Sequence, residues 1–245
     1  LVTTGFKQPA LHATRYSASW RTTPLLHFSH LYLPNKLLAL TTFAGLMSLD
    51  RLAKNHDTLF LPNLEMVGVP KIPYALLVHD LSFLIEPKWF SLKSRLWHIM
   101  TRAKTLIKNA DALFTVSHHT KQDLINYLAV DEKKIHVLPL GNTEIVDTDT
   151  PLPPELQNTR YFLALGTSDP RKNLTCITTA FQQLLKNADF SDIKLALIGT
   201  PSPHSRYPIP DTRYYFLPRP SDALLSTLMK NASALLYPSW YEGYG

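Results

Sequence analysis

A chain of 245 residues of which 45% are hydrophobic can bury a sizeable core, as one large domain or two modest ones, so disorder and low complexity are excluded. A single cysteine, Cys176, excludes an internal disulfide framework and fits a reducing compartment. The net charge of +6 is unevenly placed: residues 1–141 hold 16 Lys+Arg against 9 Asp+Glu, a balance of +7, and the remainder carries −1, so an anionic partner is expected for the first half.

In chain order, the opening segment begins at Leu1 and lacks the basic-then-apolar plan of a signal peptide. Helical periodicity covers Asn35–Lys54; its apolar part, Leu37–Leu49, is too short to span a bilayer. Short β-rich runs follow at Thr58–Leu61 and Tyr74–Val78, then a helical stretch over Ser91–Asn109 and a strand at Ala112–Val116. Ser117 is placed to cap a helix over His118–Leu128, which leads to a strand at Ile135–Leu138. Residues 142–159 are rich in Thr, Asp and Pro and read as a linker. The alternation then resumes with strand Tyr161–Leu165, helix Asn173–Asn187, strands Ile193–Ile198 and Tyr214–Leu217, helix Ser221–Lys230 and strand Ala234–Tyr237. Strand–helix–strand repetition of this kind predicts an α/β protein of two Rossmann-like parallel-sheet domains, 1–141 and 160–245.

The polar residues of interest follow strands. His79 and Asp80 follow Tyr74–Val78, Gly166 and Thr167 follow Tyr161–Leu165, and Glu242 lies just past Ala234–Tyr237. Open parallel sheets bind ligands at that carboxyl edge, and two such edges facing a cleft make a bisubstrate site. In the segment Gly166 to Leu174, a strand ends at a glycine and two cations, Arg171 and Lys172, stand at a helix start, a combination suited to phosphate. It is neither a dinucleotide fingerprint nor a P-loop. His79 can donate or accept a proton bond at neutral pH. No zinc-type spacing and no nucleic-acid-binding signature is present, and the reading calls for neither metal nor cofactor. From Pro87 to Ala110 there are six Lys+Arg and no acid, so this helix is expected to carry Leu92, Leu96, Ile99, Ala103, Leu106 and Ile107 on one face and Trp97 among Lys93, Lys104 and Lys108 on the other, as an anionic membrane surface would require.

The ordered set Val78-His79-Asp80-Leu81, Val116-Ser117, Val137-Leu138-Pro139-Leu140-Gly141, Gly166-Thr167 with Pro170-Arg171-Lys172-Asn173, and Pro238-Ser239 followed by Tyr241-Glu242-Gly243-Tyr244-Gly245 resembles the retaining glycosyltransferases of family four, mannosyltransferase-like in character. The resemblance implies the GT-B fold, two Rossmann-like domains facing a cleft, with both domains incomplete in an internal piece of a longer enzyme. It implies that Lys172 binds the donor diphosphate, that His79 contacts the donor sugar near the reacting centre, and that Glu242 binds sugar hydroxyls. Gly243, Tyr244 and Gly245 would supply backbone amides, Arg219 would lie at the base, and Gly166, Thr167 and Arg171 would complete the donor site. Thr167 stands where many members have arginine, with Arg171 as a substitute, Leu217 replaces a glycine, and the second glutamate of the family motif would fall past Gly245.

The function this implies is transfer of a hexose from a nucleoside-diphosphate sugar to an acceptor hydroxyl with retention, in cell-surface glycan or glycolipid synthesis. Its partners are the donor, a carbohydrate or lipid-linked acceptor and an anionic membrane surface, and its location is the cytoplasm, peripheral at the inner membrane face. The competing readings are another GT-B enzyme, such as a nucleotide-sugar epimerase, and a non-catalytic remnant that binds nucleotide sugar or a partner.

Overall fold

The computed structural model describes residues 2–4, 29–31, 35–46, 57–141, 149–166, 169–199 and 212–244. Contacts gather into two units, one reaching Pro139 and the other running from Leu140, with which the short turn Glu86–Trp89 groups.

In the first unit, β1 (Val2–Thr4) and β2 (Ser29–Leu31) pair in parallel, and α1 spans Asn35–Phe43. The main sheet is built from β3 (Leu59–Leu61), β4 (Tyr74–Val78), β5 (Ala112–Thr115) and β6 (Ile135–Val137), in that order and all parallel. Between β4 and β5 lie α2 (Ser82–Ile85), α3 (Leu92–Met100) and α4 (Ala103–Asn109); α5 (His118–Leu128) joins β5 to β6. Alternation along β4 buries Tyr74, Leu76 and Val78 against Leu106 and Ile107 of α4 and Leu124 of α5. The Tyr74 hydroxyl donates to the Leu106 carbonyl at 2.6 Å, and burial followed by the Asp111 charge pushes the phenol up to about 12. Ser117 caps α5 as expected, accepting from the Thr120 amide at 3.1 Å.

One expectation fails here. The stretch Ser91–Asn109 is two helices, because Arg102 takes a left-handed conformation (φ 52°, ψ 39°) and the Thr101 hydroxyl bonds back to the His98 carbonyl at 2.7 Å. The proposed single apolar stripe is therefore split. Ala103, Leu106 and Ile107 enter the core, while Leu92, Leu96 and Ile99 stand 81%, 57% and 66% exposed. Among the described residues, α1 ends at Phe43; the expected extension to Lys54 runs into residues 47–56, outside them.

The second unit contains β7 (Tyr161–Leu165), α6 (Leu174–Leu184), β8 (Lys194–Ile198), β9 (Tyr214–Leu217), α7 (Asp222–Asn231) and β10 (Ala234–Leu236). Its sheet runs β10-β7-β8-β9, again all parallel. Leu174, Ile177 and Phe181 of α6 pack with Ala164, Leu195 and Leu197 in one core cluster, and Leu228 of α7 packs with Tyr161, Leu163 and Ala196 in another. Neighbouring strand residues fall in different clusters, so the two helices cover opposite faces, as a buried parallel sheet requires. Residues 149–159 also pack on this unit: Leu156 is fully buried, and the Thr227 hydroxyl donates to the Thr150 carbonyl at 3.0 Å.

Candidate functional site

The strand order supplies the site. From β7 the chain moves outward through β8 to β9, then crosses back to lay β10 on the other side of β7. The reversal opens a crevice between the carboxyl ends of β7 and β10, the position where doubly wound sheets accept ligands.

From β7 the backbone turns at Gly166 with φ 72°, a conformation that disfavours any side chain. A Cβ at Gly166 would lie 3.0 Å from Lys172 Cγ and 3.3 Å from Cε, so the missing side chain is what lets the lysine stem lie along the backbone. Asp169 caps the next turn, accepting from the Arg171 amide at 3.0 Å. Its carboxylate is also gripped by the guanidinium, with Arg171 Nε at 3.1 Å from each oxygen and Nη2 at 2.8 Å from Oδ2. Burial works against ionisation of Asp169, but its bonds with Arg171 outweigh that and hold the carboxyl below its ordinary value. Arg171 thus holds the turn. The helix itself starts two residues after Lys172: Asn173, left-handed at φ 53°, precedes α6 and uses its side-chain amide to donate to the Pro238 carbonyl at 3.2 Å.

That bond, with the Trp240 amide donating to the Arg171 carbonyl at 2.8 Å, ties the loop after β10 to the loop after β7. The tie brings two residues of the sequence reading together. Lys172 Nζ lies 2.7 Å from Glu242 Oε1, with both side chains about a fifth exposed. It also donates to the Tyr237 hydroxyl at 2.5 Å, and the ammonium sits 4.4 Å from the centroid of that ring. Burial pulls the Lys172 amine down, but the bonds to Glu242 and Tyr237 prevail and hold it above its ordinary value. The site therefore presents a firmly charged cation beside a carboxylate, in a crevice floored by glycine.

Gly243 is buried and Tyr244 exposed in the same loop, and the Ser239 hydroxyl is buried with no partner among the described residues. Arg219 is exposed in the bend after β9, at the same edge of the sheet two strands from β7. Thr167 and Gly245 lie outside the described residues.

His79 belongs to the first unit, where it is exposed at the carboxyl end of β4. Its Nε2 is 3.2 Å from the Pro62 carbonyl. A carbonyl only accepts, so Nε2 is the donor in that contact. Its backbone is pinned by the Thr120 hydroxyl, which donates to the His79 carbonyl at 3.2 Å. The neighbouring Asp80 is structural, accepting from the Ser82 amide at 2.9 Å and the Ser82 hydroxyl at 2.5 Å.

Sequence reasoning passed over Tyr237 and Asp169. Tyr237 reads as the last residue of a strand, yet pairing stops at Leu236 and leaves the tyrosine at the crevice. An aromatic hydroxyl at the mouth of a strand was the available signal.

Residues 31–144 match the family model Glycosyltransferase Family 4. No curated protein matches the chain. Among solved structures, the chain is similar to a trehalose-6-phosphate synthase from E. coli bound with UDP-2-fluoro glucose (16% identity, TM-score 0.58, covering 86% of this chain and 57% of that one). It is similar to WaaG, a glycosyltransferase involved in lipopolysaccharide biosynthesis (16% identity, TM-score 0.59, 88% and 63%). It is also similar to sucrose-phosphate synthase from Thermosynechococcus elongatus (16% identity, TM-score 0.59, 92% and 60%). The class these likenesses define is one of fold: two parallel-sheet α/β units of the GT-B glycosyltransferase type. The chain spans less than two thirds of the length of each of these neighbours.

Proposed function

We propose that this chain forms part of a retaining glycosyltransferase that moves a hexose from a nucleoside-diphosphate sugar to an acceptor hydroxyl, in the synthesis of a surface glycan or glycolipid. The observation that carries the proposal is the meeting of the Lys172 ammonium and the Glu242 carboxylate at the switch point of the second sheet. A cation there suits a diphosphate and a carboxylate suits sugar hydroxyls. The neighbour bound with UDP-2-fluoro glucose and the family match over residues 31–144 support a nucleotide-sugar donor.

In this reading the sugar–phosphate bond breaks as negative charge grows on the leaving diphosphate, and Lys172 stabilises that charge. The acceptor attacks from the face the diphosphate leaves, and a departing phosphate oxygen takes the acceptor proton, so configuration is retained. Glu242 and the Gly243–Gly245 backbone orient the sugar, Arg219 lies toward the base, and His79 acts at the reacting centre. Arg171 serves the donor by holding the loop through Asp169.

The acceptor side is proposed to work at an anionic membrane. Leu92, Leu96 and Ile99 are exposed on α3, with Lys88, Lys93, Arg95, Arg102 and Lys104 nearby in sequence and no acidic residue from Pro87 to Ala110. Apolar side chains bordered by cations suit acyl chains below phosphate headgroups.

The test is transfer by the full-length protein from a panel of nucleoside-diphosphate hexoses. Lys172→Ala removes a charge-assisted bond of roughly 1.5–3 kcal/mol, so donor affinity and turnover should fall about ten- to hundredfold for any donor used. His79→Ala should lower kcat more than donor affinity. Wild-type activity in the Lys172 variant would refute the site, and interconversion of the donor sugar without acceptor would favour an epimerase.

A further inference from the structure

Lys172 is held by two groups of different character. Glu242 offers a charged oxygen at 2.7 Å. Tyr237 offers a neutral hydroxyl oxygen at 2.5 Å. An ammonium has three protons to donate. Two of them are engaged here, one by a neutral group and one by an anion.

We propose that Tyr237 is a positioning residue for Lys172 and that donor binding is an exchange, in which the ammonium keeps Tyr237 and trades Glu242 for a diphosphate oxygen. The inference rests on the nucleotide-sugar reading above and adds a residue and an order of events to it. A diphosphate carries more negative charge than one carboxylate, so it wins the ammonium once it is in the crevice. The tyrosine hydroxyl and ring are neutral and lose nothing when a second anion approaches, so that contact persists. The stem has little freedom to follow the ligand, because Lys172 Cγ to Cε already lie against the Gly166 backbone. Reorientation is left to the ammonium, which turns about its bond to the Tyr237 hydroxyl.

The exchange gives Glu242 a second role. While it holds Lys172, its Oε1 is engaged; once the diphosphate takes over, that oxygen is free to accept from sugar hydroxyls on the neighbouring part of the same donor. The carboxylate thus becomes available to sugar only when phosphate is present, which favours the intact nucleotide sugar over a free hexose.

The experiment is calorimetric titration of UDP, GDP and ADP into the full-length protein, with donor KM and kcat measured in parallel and folding checked by melting temperature. Glu242→Gln should bind the preferred diphosphate at least threefold more tightly than wild type while its transfer activity falls, because the competing anion is gone; Glu242→Asp, whose carboxylate is one methylene shorter, should shift affinity in the same direction and serves if the glutamine variant does not fold. Tyr237→Phe keeps the ring and loses the hydroxyl, so it should weaken diphosphate binding about threefold and raise donor KM with kcat retained. Tyr237→Ala, which removes the hydroxyl together with the ring that carries it, should weaken it at least as much. Unchanged or weaker diphosphate binding in the Glu242 variants overturns the exchange, and wild-type binding by both Tyr237 variants overturns its positioning role. Should Lys172→Ala bind diphosphate as wild type does, or should no diphosphate bind wild type, the nucleotide-sugar reading itself falls, and the exchange with it.

Discussion

Gly166 shapes the site through the space it leaves beside the Lys172 stem. Alanine there would carry a side chain at φ 72° and press a methyl group to 3.0 Å from Lys172 Cγ. The left-handed conformation alone should cost about 1–2 kcal/mol, and the lysine stem would have to shift as well. Gly166→Ala should therefore lower the melting temperature and weaken UDP or GDP binding although Lys172 remains; unchanged affinity would show that the stem's path is unimportant. Gly166, Lys172 and Glu242 were legible in the sequence because each sits at a fixed offset from an apolar strand. The bond between Tyr237 and Lys172 was not, since it joins residues 65 positions apart and depends on which strands become neighbours. The same holds for the Arg171 guanidinium, whose partner Asp169 is two residues away in a turn no periodicity describes.

At the scale of elements, the strands read from Thr58 onward were legible to within a residue or so, with Tyr74–Val78, Tyr161–Leu165 and Tyr214–Leu217 as read, whereas the short strands β1 and β2 were not read at all. The break between α3 and α4 was hidden because apolar spacing continues across it, and no glycine or proline marks Thr101–Arg102. Arg102→Gly, by relieving a left-handed arginine, should stabilise the protein by about 0.5–1 kcal/mol in denaturant unfolding. The same region contains a pH-sensitive group. The His98 ring stacks on Phe83 at 4.5 Å and meets Phe90 and Trp97 edge-on at 5.3 and 4.9 Å, with Nδ1 buried and without a partner among the described residues. Burial lowers its affinity for a proton, and the Asp80 charge opposes this only in part. The folded state thus favours neutral imidazole, and the unfolded chain binds the proton more readily. Stability should be unaffected above about pH 6.5 and fall as pH drops below it toward the lowered folded value. His98→Phe, which keeps the stack, should remove that part of the acid loss in melting curves; an unchanged pH profile would place the sensitivity elsewhere.

Over the whole molecule, the two sheets have separate cores and unequal charge, +7 over residues 1–141 and −1 beyond. The alternation of elements made the parallel α/β architecture legible. The strand order β10-β7-β8-β9 was not, because equally apolar strands can be laid side by side in several orders. The charge difference bears on where the protein works. Full-length protein should sediment with vesicles containing phosphatidylglycerol at low salt and be released toward 0.5 M salt, since screening shortens to a few ångströms there. Leu92→Ser with Leu96→Ser should weaken sedimentation without changing the salt response; equal binding to neutral vesicles would argue against the anionic surface.

Lys172 and Glu242 stand 70 residues apart in the chain yet meet at 2.7 Å, because β10 pairs beside β7 although β8, β9 and α7 lie between them in sequence. Bringing distant segments together is slow compared with forming local turns of helix, since the entropy of closing the long loop is lost before the contact is made. Recovery of diphosphate binding after dilution from denaturant should accordingly lag the return of helical circular dichroism. Diphosphate affinity then acts as a clock for the docking of β10 beside β7, and a chain that is helical but has not inserted β10 would be unable to hold its ligand.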